Sequence, residues 1–265
     1  MILRRISQHI KEQNWFAVAL DFVIVVIGVG VALAGQKWLS DYQQRQDMQK
    51  AEIAVQENLT MNYLFAKERL SFVNCRVQNY QAIAKKLLEP VEDWEALPPF
   101  PVSSSRTNAL PITLRSPARS YGSRIWYAEL GRGTFNQMDN VRRENIDIIF
   151  NQGRKVEDLQ NEILNLQGDM KYLSVATTIS QEAQVDFYNV LGKLDEKSVL
   201  IEIMATQMID KIEEIGLNMS AEQRAIELER HSRILQETRA NIYGDCFIPA
   251  PLPLFEPSDS TSQKL

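Results

Sequence analysis

Histidine is almost missing from this 265-residue chain: His9 and His231 are the only two, and His9 stands in the short N-terminal stretch. A histidine-based metal centre or a Ser-His-Asp triad therefore has little to draw on. Cysteine is equally scarce, with only Cys75 and Cys246, and no Cys-x-x-Cys pair. There is no Gly-x-Ser-x-Gly elbow, no Walker loop and no dinucleotide fingerprint, and Gly131-Arg132-Gly133 reads as a break between helices. The chain also lacks excess positive charge, since 29 basic against 34 acidic residues leave a net charge of -5. That balance argues against nucleic acid as a main partner. The composition points to no cofactor and to no catalytic residue.

Proline and glycine are absent from 36 to 89, which allows one long helix over that interval. Just before it lies the one long apolar run, FAVALDFVIVVIGVGVALAG from Phe16 to Gly35, interrupted only by Asp21 and bordered by Trp15 and Trp38. About 20 residues rising about 1.5 Å each cross a hydrocarbon core of about 30 Å, and flanking Trp belongs at the interface. The pattern predicts a transmembrane helix over 16–38, with the lipid bilayer as its surroundings. Ala32-Leu33-Ala34 has a form that signal peptidase accepts, but the span-length run, the charged leader and Trp38 favour retention. Asp21 suits an interfacial position or a helix-helix contact, where Gly28 with Ala32 and Gly30 with Ala34 would allow close approach.

Orientation is weakly marked by charge, because Arg4, Arg5 and Lys11 face Lys37, Arg45 and Lys50. The even cysteine count on the larger side favours export and a Cys75–Cys246 disulfide. The expected address is a bacterial inner membrane, with residues 1–15 cytoplasmic and the bulk periplasmic.

Residues 39–89 read as a stalk helix. Leu59, Tyr63, Ala66, Leu70, Val73, Val77, Tyr80, Ala84 and Leu87 recur in steps of four and three, a heptad seam. That seam packs either on later helices of the same chain or on a second copy in a homo-oligomer. Residues 90–120 carry six prolines with Ser103, Ser104 and Ser105, and predict an irregular connection. Its charges after Ala96 are Arg106, Arg115 and Arg119, followed by Arg124, an anion-binding strap unless the acidic group Glu89, Glu92, Asp93 and Glu95 neutralises it.

Residues 121–246 predict a helical bundle completed by the stalk. Helical patterning covers Arg119 to Leu130, resumes at Thr134 as a cap and runs to Gly153. Further segments span Val156 to Thr178, Ser180 to Leu194, Ser198 to Leu217 and Ala221 to Tyr243. Ser220 with Gln223 forms a capping box, and Gly244 ends the last helix. Glu227 and His231 read as a solvated pair. Residues 247–265 begin with alternating prolines, an extended path pinned against the stalk through Cys246, and end in a polar tail. The fold class is all-α.

Leu20-Asp21-Phe22, VIVVIGVGVAL and Gln36-Lys37-Trp38 together resemble the anchor of a family of uncharacterised bacterial single-span inner-membrane proteins. A looser likeness covers Trp126 to Phe150, through Leu130-Gly131, Asn140, Arg143 and Ile146. The chain departs from the family in Lys37, where an Asn before the Trp is common, and in its cysteines and proline-rich tail. The resemblance implies a membrane protein with a helical exported region and carries over no catalytic residue. A non-enzymatic binding or scaffolding protein with an unidentified membrane or periplasmic protein partner is the expectation. A ligand sensor signalling through a partner, or an enzyme built on bundle carboxylates, are the rivals.

Overall fold

The computed structural model describes residues 15–90, 93–98, 110–238 and 243–255, with the side chains of 15–18, of Asp21 and of Thr238 outside that description. Residues 1–14, Arg106 and the polar tail from 256 also lie outside it. The chain is all-α, and among the described residues the one exception is an antiparallel pair in which β1 (Asp93–Trp94) meets β2 (Thr177–Thr178). Two compact units divide it, Met1–Lys50 and Ala51–Leu265.

Within the first unit the described residues are helical from Trp15 onward. Their apolar window has a mean hydropathy of 1.9 and none of it is buried by protein, so this helix is long and apolar enough to cross a membrane. Gly28, Gly30, Ala32 and Ala34 are all exposed, and nothing approaches within 4 Å of where a Cβ would stand on either glycine. Trp38 and Tyr42 stack at 6.0 Å one turn apart, an aromatic pair where the apolar run ends.

Helix α1 spans Trp15–Ser71 and α2 spans Val73–Leu88. The stalk expected to run unbroken through 39–89 is therefore interrupted at Phe72. The cause is a competitor for the helix's own hydrogen bonds. Ser71 Oγ donates back to the Lys67 carbonyl, the Ser71 carbonyl accepts from Ile248 N at 3.1 Å, and Ser71 Oγ accepts from Ala250 N at 2.8 Å. The proline-rich tail thus takes the groups that would have continued the ladder. Cys75 and Cys246 are joined by a disulfide beside this break, with Cα atoms 4.8 Å apart.

The heptad seam changes register at the same place. Leu59, Tyr63 and Ala66 are buried in the chain's own core before the break. Beyond it the buried face of α2 is Cys75, Arg76, Tyr80, Ile83 and Leu87, so Leu70 and Val73 are half-buried and Val77 is exposed. Most of the seam is intrachain core.

Among the described residues four more α-helices follow the connection. Helix α3 is Arg124–Gly131, shorter than expected, and Thr134 caps no helix because its hydroxyl is bound to Glu129. Helix α4 is Asn140–Asp169, started instead by Asp139, whose carboxylate accepts from Arg142 N. Helix α5 is Gln181–Ile215, capped by Ser180 and stopped by Gly216 at φ +70°. Gly153, expected to end a helix, lies inside α4, and Gly192 lies inside α5, which joins the two segments expected over Ser180 to Leu194 and Ser198 to Leu217. Tertiary packing overrides their weak helix propensity, and α4 against α5 is the most extensive helix pair. The last helix, α6 (Ala221–Thr238), opens on the expected capping box: Gln223 N donates to Ser220 Oγ and Ser220 N to Gln223 Oε1.

Trp126 centres one part of the core, fully buried and stacked between Phe135 at 5.0 Å and Phe150 at 5.9 Å. The tail closes another part. Phe247 packs with Phe72, Cys75 and Leu235, and Phe255 stacks on Tyr63 at 6.1 Å.

Candidate functional site

The arginines of the strap do not act as a set. Arg119 sends Nε to Glu68 Oε2 and its second nitrogen to Oε1, each at 2.7 Å, while its ring-facing plane lies 5.6 Å from Phe65. Glu68 is only 2% exposed, so this is a paired buried carboxylate, and the fork holds the Arg119 guanidinium charged more firmly than usual. The neutralising acid is therefore Glu68 on α1 rather than the Glu89–Glu95 group, where Glu95 instead meets Lys86 at 3.3 Å. Arg115 is half-buried and Arg124 exposed. Strap residues 119–121 are fastened at both sides, with Arg119 N on Gln160 and both Tyr121 N and Ser120 Oγ on Glu157.

Glu68 belongs to a run of three charges, Lys67-Glu68-Arg69, buried at the end of α1. Lys67 pairs with Glu213 of α5 at 3.1 Å, and the Tyr63 hydroxyl donates to the same carboxylate at 2.8 Å. Seven residues on, Arg76 forks onto Glu202 at 2.7 and 2.9 Å and also contacts Asp195. Burial works against charge on Arg76, but the Glu202 fork outweighs it and raises the pKa.

Arg69 differs from its neighbours. It is fully enclosed, and Nε and both terminal nitrogens lack a hydrogen-bond partner. Burial pushes its pKa down, opposed by the charge of nearby Glu202, whose two oxygens are already on Arg76. The buried hydroxyls of Tyr80 on α2 and Ser198 on α5 face each other. Burial raises the Tyr80 pKa, so this hydroxyl stays a donor across the neutral range.

Beside these groups an open groove of about 340 Å³ runs between α2 and α5. Val77, Ala84, Leu191 and Val199 supply its apolar wall, and Arg76, Tyr80 and Asp195 its polar part. Gly192 leaves room here, with nothing within 4 Å of a Cβ position. The two helices are antiparallel, as Arg76 meets Glu202 at one end and Gln184 Nε2 reaches the Glu89 carbonyl at the other.

His231 is buried rather than solvated, at 6% exposure, and its Nε2 has no partner. Glu227 turns to Arg230 instead, at 3.5 Å. Burial holds the imidazole below its ordinary pKa. Among the described residues no cluster of three or more His, Cys, Asp or Glu is arranged to hold a metal ion.

Sequence reading anticipated the disulfide from the cysteine count, but not the charged interior. A signal was present: Arg69, Arg76 and Tyr80 are spaced by seven and four, a second stripe running alongside the apolar seam. Comparison of the chain with protein-family models, curated proteins and solved structures gives no match.

Proposed function

We propose that this chain is a single-pass protein of a bacterial inner membrane, with residues 1–15 cytoplasmic and a periplasmic bundle that acts by binding rather than by catalysis. The groove between α2 and α5 carries this reading. It is concave, accessible and lined mainly by apolar side chains with a few polar groups, the usual make-up of a recognition site. The disulfide supports an oxidising compartment for the bundle, and the exposed apolar helix supports the anchor. The most buried carboxylates support a structural role for the charged interior, because Glu68 and Glu202 each face an arginine instead of a second acid. A paired-carboxylate enzyme would need the opposite arrangement.

Site-specific photo-crosslinking in intact membranes tests the reading. A photoreactive residue at Tyr188, on the groove, should give a discrete adduct that one at Val141, exposed on α4, does not. Identical adducts from both positions, or none at Tyr188, would overturn it.

A further inference from the structure

Helix α5 is apolar on two faces. One face, with Leu194, Ile201, Ala205 and Met208, is buried in the core. The other runs at helical spacing through Tyr188, Gly192, Val199 and Ile203, and all four are exposed. A helix on the surface of a lone bundle needs only one apolar stripe, so the second marks a face that another surface covers. Helix α2 repeats the pattern. Its seam positions Val77 and Ala84, seven apart, are exposed and half-buried, while Tyr80 and Leu87 enter the core. The two outward stripes meet in the groove, which Val77, Ala84, Tyr188, Gly192 and Val199 line together.

Charge identifies the cover. Helix α2 carries Arg76, Lys85 and Lys86 and no acidic residue, whereas α5 carries eight acidic residues against three lysines. Within one copy these two helices lie side by side and antiparallel. A half-turn about an axis along the groove sets each α2 between its own α5 and the α5 of a second copy. The four helices then alternate in direction and in sign of charge, an up-down-up-down bundle with the apolar stripes at its centre. Setting α5 on α5 instead would oppose acid to acid. The size fits too. Sixteen residues of α2 rising about 1.5 Å each, in a face two helices of about 10 Å wide, present roughly 500 Å² per copy. About 1000 Å² in all reaches the lower bound of a specific interface.

We propose that the α2–α5 face binds a second copy of this chain, forming a four-helix bundle across the groove. The proposal rests on the reading of the groove as a binding site, and it names the occupant.

The test co-expresses two differently tagged copies of the full chain in intact membranes. A photoreactive residue at Tyr188 or Val77 should join copies bearing both tags at twice the chain mass, and one at exposed Val141 should not. Val199→Glu puts a carboxylate into the middle of the interface and should lower that yield at least about tenfold, with the Cys75–Cys246 disulfide still forming as the sign of a folded bundle. Lys85→Glu, at an exposed position outside the core, reverses a charge on α2 and should lower the yield about threefold. Full yield in either variant would overturn the proposal. An adduct from Tyr188 to a different protein would also overturn it, while leaving the groove reading intact. No adduct from Tyr188 or Val77, or the same adducts from Val141, would overturn both.

Discussion

Arg119 grips Glu68 through two parallel hydrogen bonds of 2.7 Å, tying the irregular connection to the end of α1. Removing the cation strands a carboxylate that is 2% exposed. Arg119→Met should destabilise the bundle by about 2 to 3 kcal/mol, below the usual range for a broken buried pair because Arg119 itself is 37% exposed to screening water. Adding Glu68→Gln should recover part of the loss. Urea unfolding of the four members of this double-mutant cycle measures the coupling, and simple additivity would show that the fork contributes nothing.

The disulfide joins positions separated by 171 residues. In the chain-entropy model a loop of that size is worth about 4 to 5 kcal/mol. The double variant Cys75→Ser, Cys246→Ser should lose stability on that scale and release the tail from Phe72, making residues near Phe247 sensitive to protease. Alkylation under denaturing, non-reducing conditions should label no thiol in the parent chain.

His231 gives a pH dependence of definite sign. Its folded pKa is lowered by burial, so the unfolded chain binds the proton more tightly. Stability attributable to His231 is complete above the unfolded value of about 6.5 and falls as pH drops below it. The urea midpoint should therefore decline between about pH 6.5 and 5 less steeply in His231→Gln than in the parent. Parallel curves would remove His231 from the account.

Two glycines inside helices should answer the same substitution with opposite signs. Gly192→Ala meets open space and should stabilise α5 by up to about 1 kcal/mol. At Gly153 an added Cβ would stand 2.9 Å from Tyr121 Cβ, an atom that moves only with the strap's backbone. Overpacking there costs about 1 to 3 kcal/mol, enough to cancel or reverse the propensity gain. Thermal unfolding of both single variants makes the comparison.

The local devices of the fold were readable from residue type. The Ser220–Gln223 box and the burial of Leu59 and Tyr63 follow from short-range chemistry and periodicity. What escaped depends on residues far away in sequence. Nothing near Phe72 announces a break, because the groups that take the Ser71 hydrogen bonds belong to Ile248 and Ala250. Gly153 looks like a helix end until Tyr121 is known to pack on it. His231 sits in a run of polar letters and was legible only as surface, since its cover comes from other parts of the fold. The charged interior was hidden for the same reason, as nothing within Lys67-Glu68-Arg69 itself shows that the strap and α5 pack against it.

The cross-link between Cys75 and Cys246 also sets an order of events during biogenesis. Its first half lies in α2, and its second is made only after α3, α4, α5 and α6 have been synthesised. Until then Cys75 has no native partner in its own chain. Closure of this one bond therefore follows synthesis of the last helix of the bundle, and it cannot form in a chain interrupted anywhere before Cys246.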